Sequence, residues 1–126
     1  MTVTIGVLCC HYTNQAGEED FQGLPGTVIV RRYPCSGHIE VADILRTFEE
    51  GAEAVLVAGC EKDRCHNLSG SLRAEKKALS ARKIIEEIGL EPERVRFAFL
   101  PRLDTGPFME EVKRTFETAL NMKSKS

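Results

Sequence analysis

Five cysteines follow apolar runs of the kind that form buried strands. They come from three distant stretches of the chain, which read VLCCHY, YPCSG and AGCEKDRCHN. The carboxyl ends of parallel strands meet at one edge of an open α/β sheet, so these thiols are predicted to converge there. Several thiolates in one place typically hold a metal ion or a metal cluster. The cysteines are Cys9, Cys10, Cys35, Cys60 and Cys65.

The segments around the cysteines suit a cluster site. A glycine permits a sharp turn before the pair Cys60 and Cys65, and Cys35 lies in a turn whose backbone N–H groups can donate to sulfur. Cys9 and Cys10 are neighbours at a strand end, so alternation predicts one thiol at the site and the other in the core. The resulting set has four thiolates, the number that binds a 2Fe–2S or a 4Fe–4S cluster.

The residues alone leave other uses of these thiols open. Cysteine often packs as a small hydrophobe. Structural zinc sites and thioredoxin-type enzymes usually contain a Cys-x-x-Cys pair, which this sequence lacks. A thiol-based redox protein would use Cys60 and Cys65. Mixed ligation of the Rieske type would use the pairs Cys10-His11 and Cys65-His66.

The composition is that of an ordinary folded domain. Of 126 residues, 42% are hydrophobic and 29% are charged, and the net charge of −2 gives no general affinity for polyanions. We expect one domain over residues 1–126, with a disordered tail over 122–126. Neither a membrane-spanning stretch nor a secretory signal is found, which predicts a cytoplasmic protein without membrane or nucleic-acid partners.

Four apolar runs predict strands, and every connection between them carries a helical pattern or enough residues for a crossover. A right-handed wind then gives a flavodoxin- or Rossmann-like α/β fold, with a four-stranded parallel sheet in the order 2-1-3-4 flanked by helices. The first three strands are predicted to be buried on both faces and the alternating fourth strand to lie at an edge. The strands cover 3–8, 26–33, 52–59 and 94–100, and the helical stripes fall within 41–48, 81–88 and 109–120.

Glycine and proline predict where the helices begin and end. Gly51 and Gly89 follow the first two stripes as C-terminal caps. Pro107 is predicted in the first turn of the last helix, where its missing N–H costs nothing. No dinucleotide or P-loop fingerprint occurs beside these elements.

A run of basic residues follows the last cysteine on a predicted helix. Such runs usually form a solvated helix face. Their position also suits docking of an acidic redox partner, because an electron relay needs its cluster near the protein edge. We therefore predict docking over the loops of Cys35 and Cys60–Cys65. The residues predicted at the rim are Arg73, Lys76 and Lys77.

The three cysteine stretches resemble the delta subunit family of methyl-viologen-reducing hydrogenases. The resemblance is strongest over residues 34–77, which contain CSG, the segment GAEAVLVAGC and a further cysteine followed by histidine. It extends more weakly through LEPERVRF and so covers most of the chain. The family pattern aligns with Cys10, and Thr13 occupies a position where the family has a cysteine.

The resemblance implies a non-catalytic electron-transfer subunit of an oxidoreductase complex in anaerobic metabolism. Its partners would be a hydrogenase or formate dehydrogenase and the flavin subunit of a heterodisulfide reductase. The cofactor implied is a 2Fe–2S cluster. The alternative is a cluster-free docking module of the same complex, which Thr13 favours because a hydroxyl is a poor iron ligand beside thiolates. The ligands implied are Cys10, Cys35, Cys60 and Cys65, with Cys9 as the alternative ligand.

Overall fold

A computed structural model describes residues 3–10, 26–33, 38–60, 68–100 and 105–125. Within these ranges the chain forms a four-stranded parallel sheet in the order β2-β1-β3-β4, flanked by three helices, which confirms the predicted architecture. The strands are β1 (Val3–Cys10), β2 (Gly26–Tyr33), β3 (Ala54–Cys60) and β4 (Val95–Leu100). The helices are α1 (Val41–Glu49), α2 (Leu68–Glu87) and α3 (Thr105–Lys125), and a 3-10 turn (Pro92–Arg94) precedes β4.

The sheet separates two apolar clusters. On the side of α3, alternate residues of β1 and β3 pack with Phe108, Val112 and Phe116. On the side of α1 and α2, the intervening strand residues pack with Ile44 and Ile85. Because β1 and β3 are covered on both faces, both strands consist of almost uninterrupted apolar residues.

The predicted glycine caps are confirmed. Gly51 and Gly89 have positive φ angles of 114° and 93°, a region that residues with a Cβ atom rarely adopt. Gly51 follows the end of α1, and Gly89 follows the end of α2. Both helices therefore stop at the residues that the sequence indicates.

The second strand differs from its prediction. β2 was expected to be buried on both faces, but Thr27 and Arg32 are exposed and its other residues are half-buried. The physical reason is its place at an edge of the sheet, where it has only one neighbouring strand. The other edge belongs to β4, as predicted.

The helices are longer than their apolar stripes. α2 begins at Leu68, well before its predicted stripe. Its first half buries the small residues Ala74 and Ala78, which give only a weak periodic signal in the sequence. The sequence predicts a disordered tail from residue 122, but α3 continues to Lys125. Met122 lies on the buried face of this helix and is only 8% exposed. Strands β1 and β3 also continue to Cys10 and Cys60.

Arg94 ties together the amino-terminal end of the sheet. Its guanidinium, in a residue only 9% exposed, donates from Nε to Glu91 at 2.6 Å and from NH1 to the Glu53 carboxylate at 3.2 Å. The same NH1 group donates to the backbone carbonyl of Glu53, just before β3 begins. Ion pairs thus join the segments at the amino-terminal ends of the strands, whereas the predicted ligands follow the carboxyl ends of the strands.

Candidate metal centre

The carboxyl edge of the sheet brings together the chain segments that carry the predicted ligands. β1 ends at Cys10 and β3 ends at Cys60, and these strands are parallel neighbours with Leu8 paired to Val57. On the other side of β1, Cys10 is paired in register with Tyr33, the last residue of β2. The backbones of Cys10 and Cys60 therefore lie on adjacent strands at one edge of the sheet.

The other two predicted ligands follow the same edge in the sequence. Cys35 comes two residues after Tyr33, and Cys65 comes between the end of β3 and the start of α2. Both residues lie outside the described part of the chain, as do His11, Thr13 and His66. For Cys10 and Cys60 the structure describes the strand position only.

Cys9 belongs to the core. It is 0% exposed and lies in the apolar cluster with Phe108 and Val112 on the α3 side of the sheet. Leu8, the residue before it, lies in the cluster on the opposite side. Strand alternation predicts opposite environments for Cys9 and Cys10. Leu8 and Cys9 follow this alternation, because they lie on opposite faces of the sheet.

The side chains that the structure describes form no group that could hold a metal ion. Among the side chains that the structure describes, no three His, Cys, Asp or Glu residues lie close enough to hold a metal ion. That set includes Cys9 and the exposed His38, but none of the four predicted ligands. The ligand set Cys10, Cys35, Cys60 and Cys65 therefore stays a prediction.

Polar side chains of β2 and α1 lie close together beside this edge. The negative charge of Asp43 acts on the Tyr33 hydroxyl, and the Tyr33 side chain packs against the apolar cluster beneath α1. Burial, and then the negative charge of Asp43, raise the pKa of Tyr33 to about 12. The Tyr33 phenol is therefore neutral at physiological pH.

The same contacts continue through the first turn of α1 to α2. The Glu40 backbone N–H donates to Asp43 Oδ2 at 3.0 Å, and the Glu40 side chain accepts from the Asp43 backbone N–H in a reciprocal cap. Lys77 Nζ on α2 donates to Glu40 Oε1 at 2.9 Å. We name the set Tyr33, Asp43, Glu40 and Lys77 the polar brace.

The basic residues predicted at a docking rim divide into two kinds. Arg73 and Lys76 are exposed on α2. Lys77 has a side chain that is only 24% exposed, and its ammonium group is bound to Glu40. Its charge already has a partner within the chain, so Arg73 and Lys76 are the better candidates for contacts with another protein.

Comparison with known proteins gives the family of this chain. Residues 5–122 match the family described as methyl-viologen-reducing hydrogenase, delta subunit. The chain belongs to this family. The match covers β1 from Ile5 onward, the other three strands and nearly all of α3, so it includes the carboxyl ends of all four strands.

Relatives of this delta-subunit family member carry names that concern hydrogenases and heterodisulfide reductases. The vhu iron-sulfur subunit of the F420-non-reducing hydrogenase of Methanopyrus kandleri is 34% identical over 92% of this chain and 92% of that protein. The protein of the same name from Methanocaldococcus jannaschii is 32% identical over 89% of this chain and 87% of that protein. One subunit of the ferredoxin:CoB-CoM heterodisulfide reductase of Methanosarcina mazei is 42% identical over 57% of this chain but 9% of that protein.

Sequence reasoning found the cysteines but missed the polar brace. A cysteine directly after an apolar run is a local sequence signal, because both features occur within one short stretch of the chain. Tyr33 and Asp43 are ten positions apart in different elements, and Glu40 and Lys77 are farther apart still. The acidic pair Glu40-x-x-Asp43 before an apolar stripe was the available signal, although capping boxes usually begin with Ser or Thr.

Proposed function

We propose that this protein is an electron-transfer subunit in which Cys10, Cys35, Cys60 and Cys65 bind a 2Fe–2S cluster. It passes electrons between a hydrogenase or formate dehydrogenase and a heterodisulfide reductase-type flavoprotein. The observation that carries the proposal is the ending of neighbouring strands β1 and β3 at Cys10 and Cys60. The names of the relatives, which are iron-sulfur subunits, support the cofactor class.

The donor set fits such a cluster by its chemistry. Four thiolates are the ligand complement of a 2Fe–2S centre, and backbone N–H groups of the turns around them can stabilise its negative charge. When bound, the cluster supplies reversible one-electron transfer at the edge of the sheet. The protein's own strands would hold two of the ligands, Cys10 and Cys60, at their carboxyl ends and keep the cluster near a surface that a partner can approach.

The choice of Cys10 over Cys9 follows from the two faces of β1. Leu8 belongs to the cluster beneath α1 and α2, so strand alternation predicts the same side for Cys10. The segments with Cys35 and Cys65 lead into those two helices. Cys9, in contrast, is enclosed on the α3 side.

Similarity to part of a heterodisulfide reductase supports the proposed partner. A stretch of 72 residues of the Methanosarcina mazei reductase protein is related to this chain and makes up 9% of that protein. A heterodisulfide reductase subunit of Methanosarcina acetivorans is 39% identical to this chain over 57% of its length. If this protein works as a separate chain directly beside such a reductase, we expect some reductases to contain a segment related to it.

The first experiment tests for the cluster itself. We expect anaerobically purified or reconstituted protein to contain about two irons and two sulfides per chain, with the visible spectrum of a 2Fe–2S centre. Cys60→Ala should abolish incorporation, because it removes one thiolate at a fixed strand end. The measurements are iron and sulfide analysis, the visible spectrum and the paramagnetic resonance of the reduced protein.

A second candidate function gives a different result in this experiment. Thr13, in place of a family cysteine, favours a cluster-free docking module of the same complex. Colourless, iron-free wild-type protein after reconstitution, with partner binding intact, would establish that candidate and overturn the cluster proposal. A colourless protein that cycles between a Cys60–Cys65 disulfide and a dithiol would instead indicate a thiol-based redox protein.

A further inference from the structure

We propose that the outer edge of β4 binds an extended acidic segment of another protein, which adds a strand to the sheet and places a carboxylate against Arg82. Within the described ranges, β4 has β3 as its one strand neighbour. On the outer side of such an edge strand, alternate residues direct their backbone N–H and C=O groups away from the sheet. These groups can form a ladder of hydrogen bonds with another chain.

A groove of about 280 Å³ lies at this edge. It is lined by Arg82 of α2, by Thr118 of α3 and by residues 95–97 of β4. Because α2 and α3 lie on opposite faces of the sheet, their residues can line one groove only where the sheet between them ends. An extended chain in the groove would therefore lie along β4 with one helix on either side.

The two sides of the groove differ in chemistry. Phe97 packs against the apolar cluster on the α2 side and is half-buried, so part of its ring can accept a further apolar side chain. Arg96 lies on the α3 side, where its guanidinium donates to Glu111 at 3.0 Å. Side chains of an added strand would alternate between these two sides. We therefore expect acidic and apolar residues at every second position of the segment, on the side of α2.

Arg82 is the group that favours an acidic segment. Its Nε donates to the Pro92 carbonyl at 3.1 Å, which holds the half-buried guanidinium beside the groove. Among the described residues, no carboxylate forms an ion pair with Arg82, and the exposed Glu93 that also lines the groove is no exception. A guanidinium with free terminal nitrogens is well suited to bind a carboxylate with two hydrogen bonds. Each of the other described arginines that are buried or half-buried binds a glutamate, namely Arg31, Arg94 and Arg96.

A second copy of this chain fits the groove less well than an acidic segment. β4 consists of VRFAFL, so pairing of two β4 strands would bring a further arginine to the groove and no carboxylate from the strand. Like charges on paired strands are destabilising. The groove includes Glu93 and Val95 at the amino end of β4, so it is also separate from the docking region predicted at the carboxyl edge.

A synthetic strand tests this surface directly. The probe is an eight-residue peptide with threonine at every second position and with glutamate and valine alternating at the positions between. Titrated into isotope-labelled protein, it should shift the amide resonances of β4 and of Arg82, and leave those of β2 at the opposite edge unchanged. The same peptide with every amide nitrogen methylated cannot form the ladder and should not bind.

A pair of charge removals tests the carboxylate contact. Arg82→Gln should weaken peptide binding about tenfold, because it removes charge-assisted hydrogen bonds. Glutamine in place of the peptide's glutamates should weaken binding to the wild type by a similar factor, but change binding to Arg82→Gln little. Arg73→Gln removes an arginine from an exposed position on the same helix and should leave the dissociation constant unchanged.

The outcomes that would overturn the proposal can be told apart. No shift in β4 at millimolar peptide would show that the edge does not accept a strand. Equal weakening by Arg82→Gln and Arg73→Gln would show a response to net charge. A dimer in sedimentation, with β4 amides protected from hydrogen exchange until the protein is diluted, would show that a second copy occupies the edge.

Two features keep this test decisive. If Arg82→Gln does not fold, which its amide spectrum would show, the glutamine and methylated peptides still test the contact and the ladder on the wild type. The iron content of the protein enters none of these comparisons. Failure of the edge proposal is therefore distinct from failure of the proposed function.

Discussion

Cys9 and Cys10 are neighbours on β1, and we propose a different chemical role for each of them. Cys9 is fully buried among aromatic and aliphatic side chains, where a thiol packs as a small hydrophobe. A cluster ligand, in contrast, must be a thiolate that reaches the metal. The environment of Cys9 therefore opposes its use as the alternative ligand.

Replacing the two cysteines separately tests this assignment. Cys9→Ala should lower the free energy of unfolding by about 1 kcal/mol, because it leaves a small cavity in a packed core, while the cluster content stays unchanged. Cys10→Ala should abolish cluster incorporation. The measurements are denaturant unfolding and iron content. The opposite pattern, with Cys9→Ala bleached and Cys10→Ala coloured, would show that β1 presents the other cysteine to the site.

The residues around the predicted site differ in whether the sequence alone can reveal their role. The positions of Cys10 and Cys60 at strand ends are local, because an apolar run and the residue that ends it are read together. The contact of Lys77 with Glu40 is not local, and a lysine on a helix has no sequence signal for its partner. Sequence reasoning therefore placed Lys77 on a free surface, whereas the structure binds it to the chain.

Among the elements, α1 packs closely on the central strand β1 at Gly6. The Thr47 methyl group of α1 contacts Gly6, and a Cβ atom added at Gly6 would overlap Cγ2 of Thr47. Thr47 is 0% exposed, and its hydroxyl donates to the Asp43 carbonyl at 2.8 Å within the helix. The lack of a side chain at Gly6 thus lets the helix of the polar brace pack tightly on the sheet.

This close approach predicts a compensating pair of substitutions. Gly6→Ala should lower the free energy of unfolding by about 1–3 kcal/mol, because the added methyl forces α1 away from β1. Adding Thr47→Ser should recover most of that loss, because serine lacks Cγ2 and keeps the hydroxyl. Denaturant unfolding of both single variants and the double variant measures the coupling. Strictly additive losses would show that the two side chains do not meet.

Element order was predictable because its signals are strong and independent. Apolar runs gave the strands, the glycines at 51 and 89 gave two helix ends, and the handedness of crossovers gave the order of the sheet. The errors fell where burial depends on neighbours in space. The predicted order already places β2 at an edge, but its apolar residues Val28, Ile29 and Val30 suggest burial on both faces, and nothing local shows how little of the strand is covered there.

For the molecule as a whole, the two edges of the sheet have different character. Arg94 and its glutamates tie the amino edge, whereas strands β1 and β3 end in cysteines at the carboxyl edge. In the described ranges, no helix has the length and apolarity needed to cross a membrane. A partner that exchanges electrons with the proposed cluster must approach the carboxyl edge, because electron transfer needs short distances.

The exposed basic residues at the start of α2 predict how that approach depends on charge. Arg73 and Lys76 are exposed near the carboxyl edge, so the double variant Arg73→Glu/Lys76→Glu should slow association with the cognate heterodisulfide reductase flavoprotein about tenfold at low salt. The effect should shrink as salt is raised, because charges at an interface rim act through long-range attraction. The measurement is the association rate across a salt series.

The control carries the same charge change away from the first turns of α2. Lys83→Glu/Lys113→Glu alters exposed residues farther along α2 and on α3, on the other face of the sheet, and should leave the association rate nearly unchanged. Lys77 is left intact in both variants, so the polar brace is not disturbed. Equal slowing by both double variants would mean that net charge governs the encounter. No slowing by either would return Arg73 and Lys76 to an ordinary solvated helix face, and docking would then have to involve the cysteine loops without them.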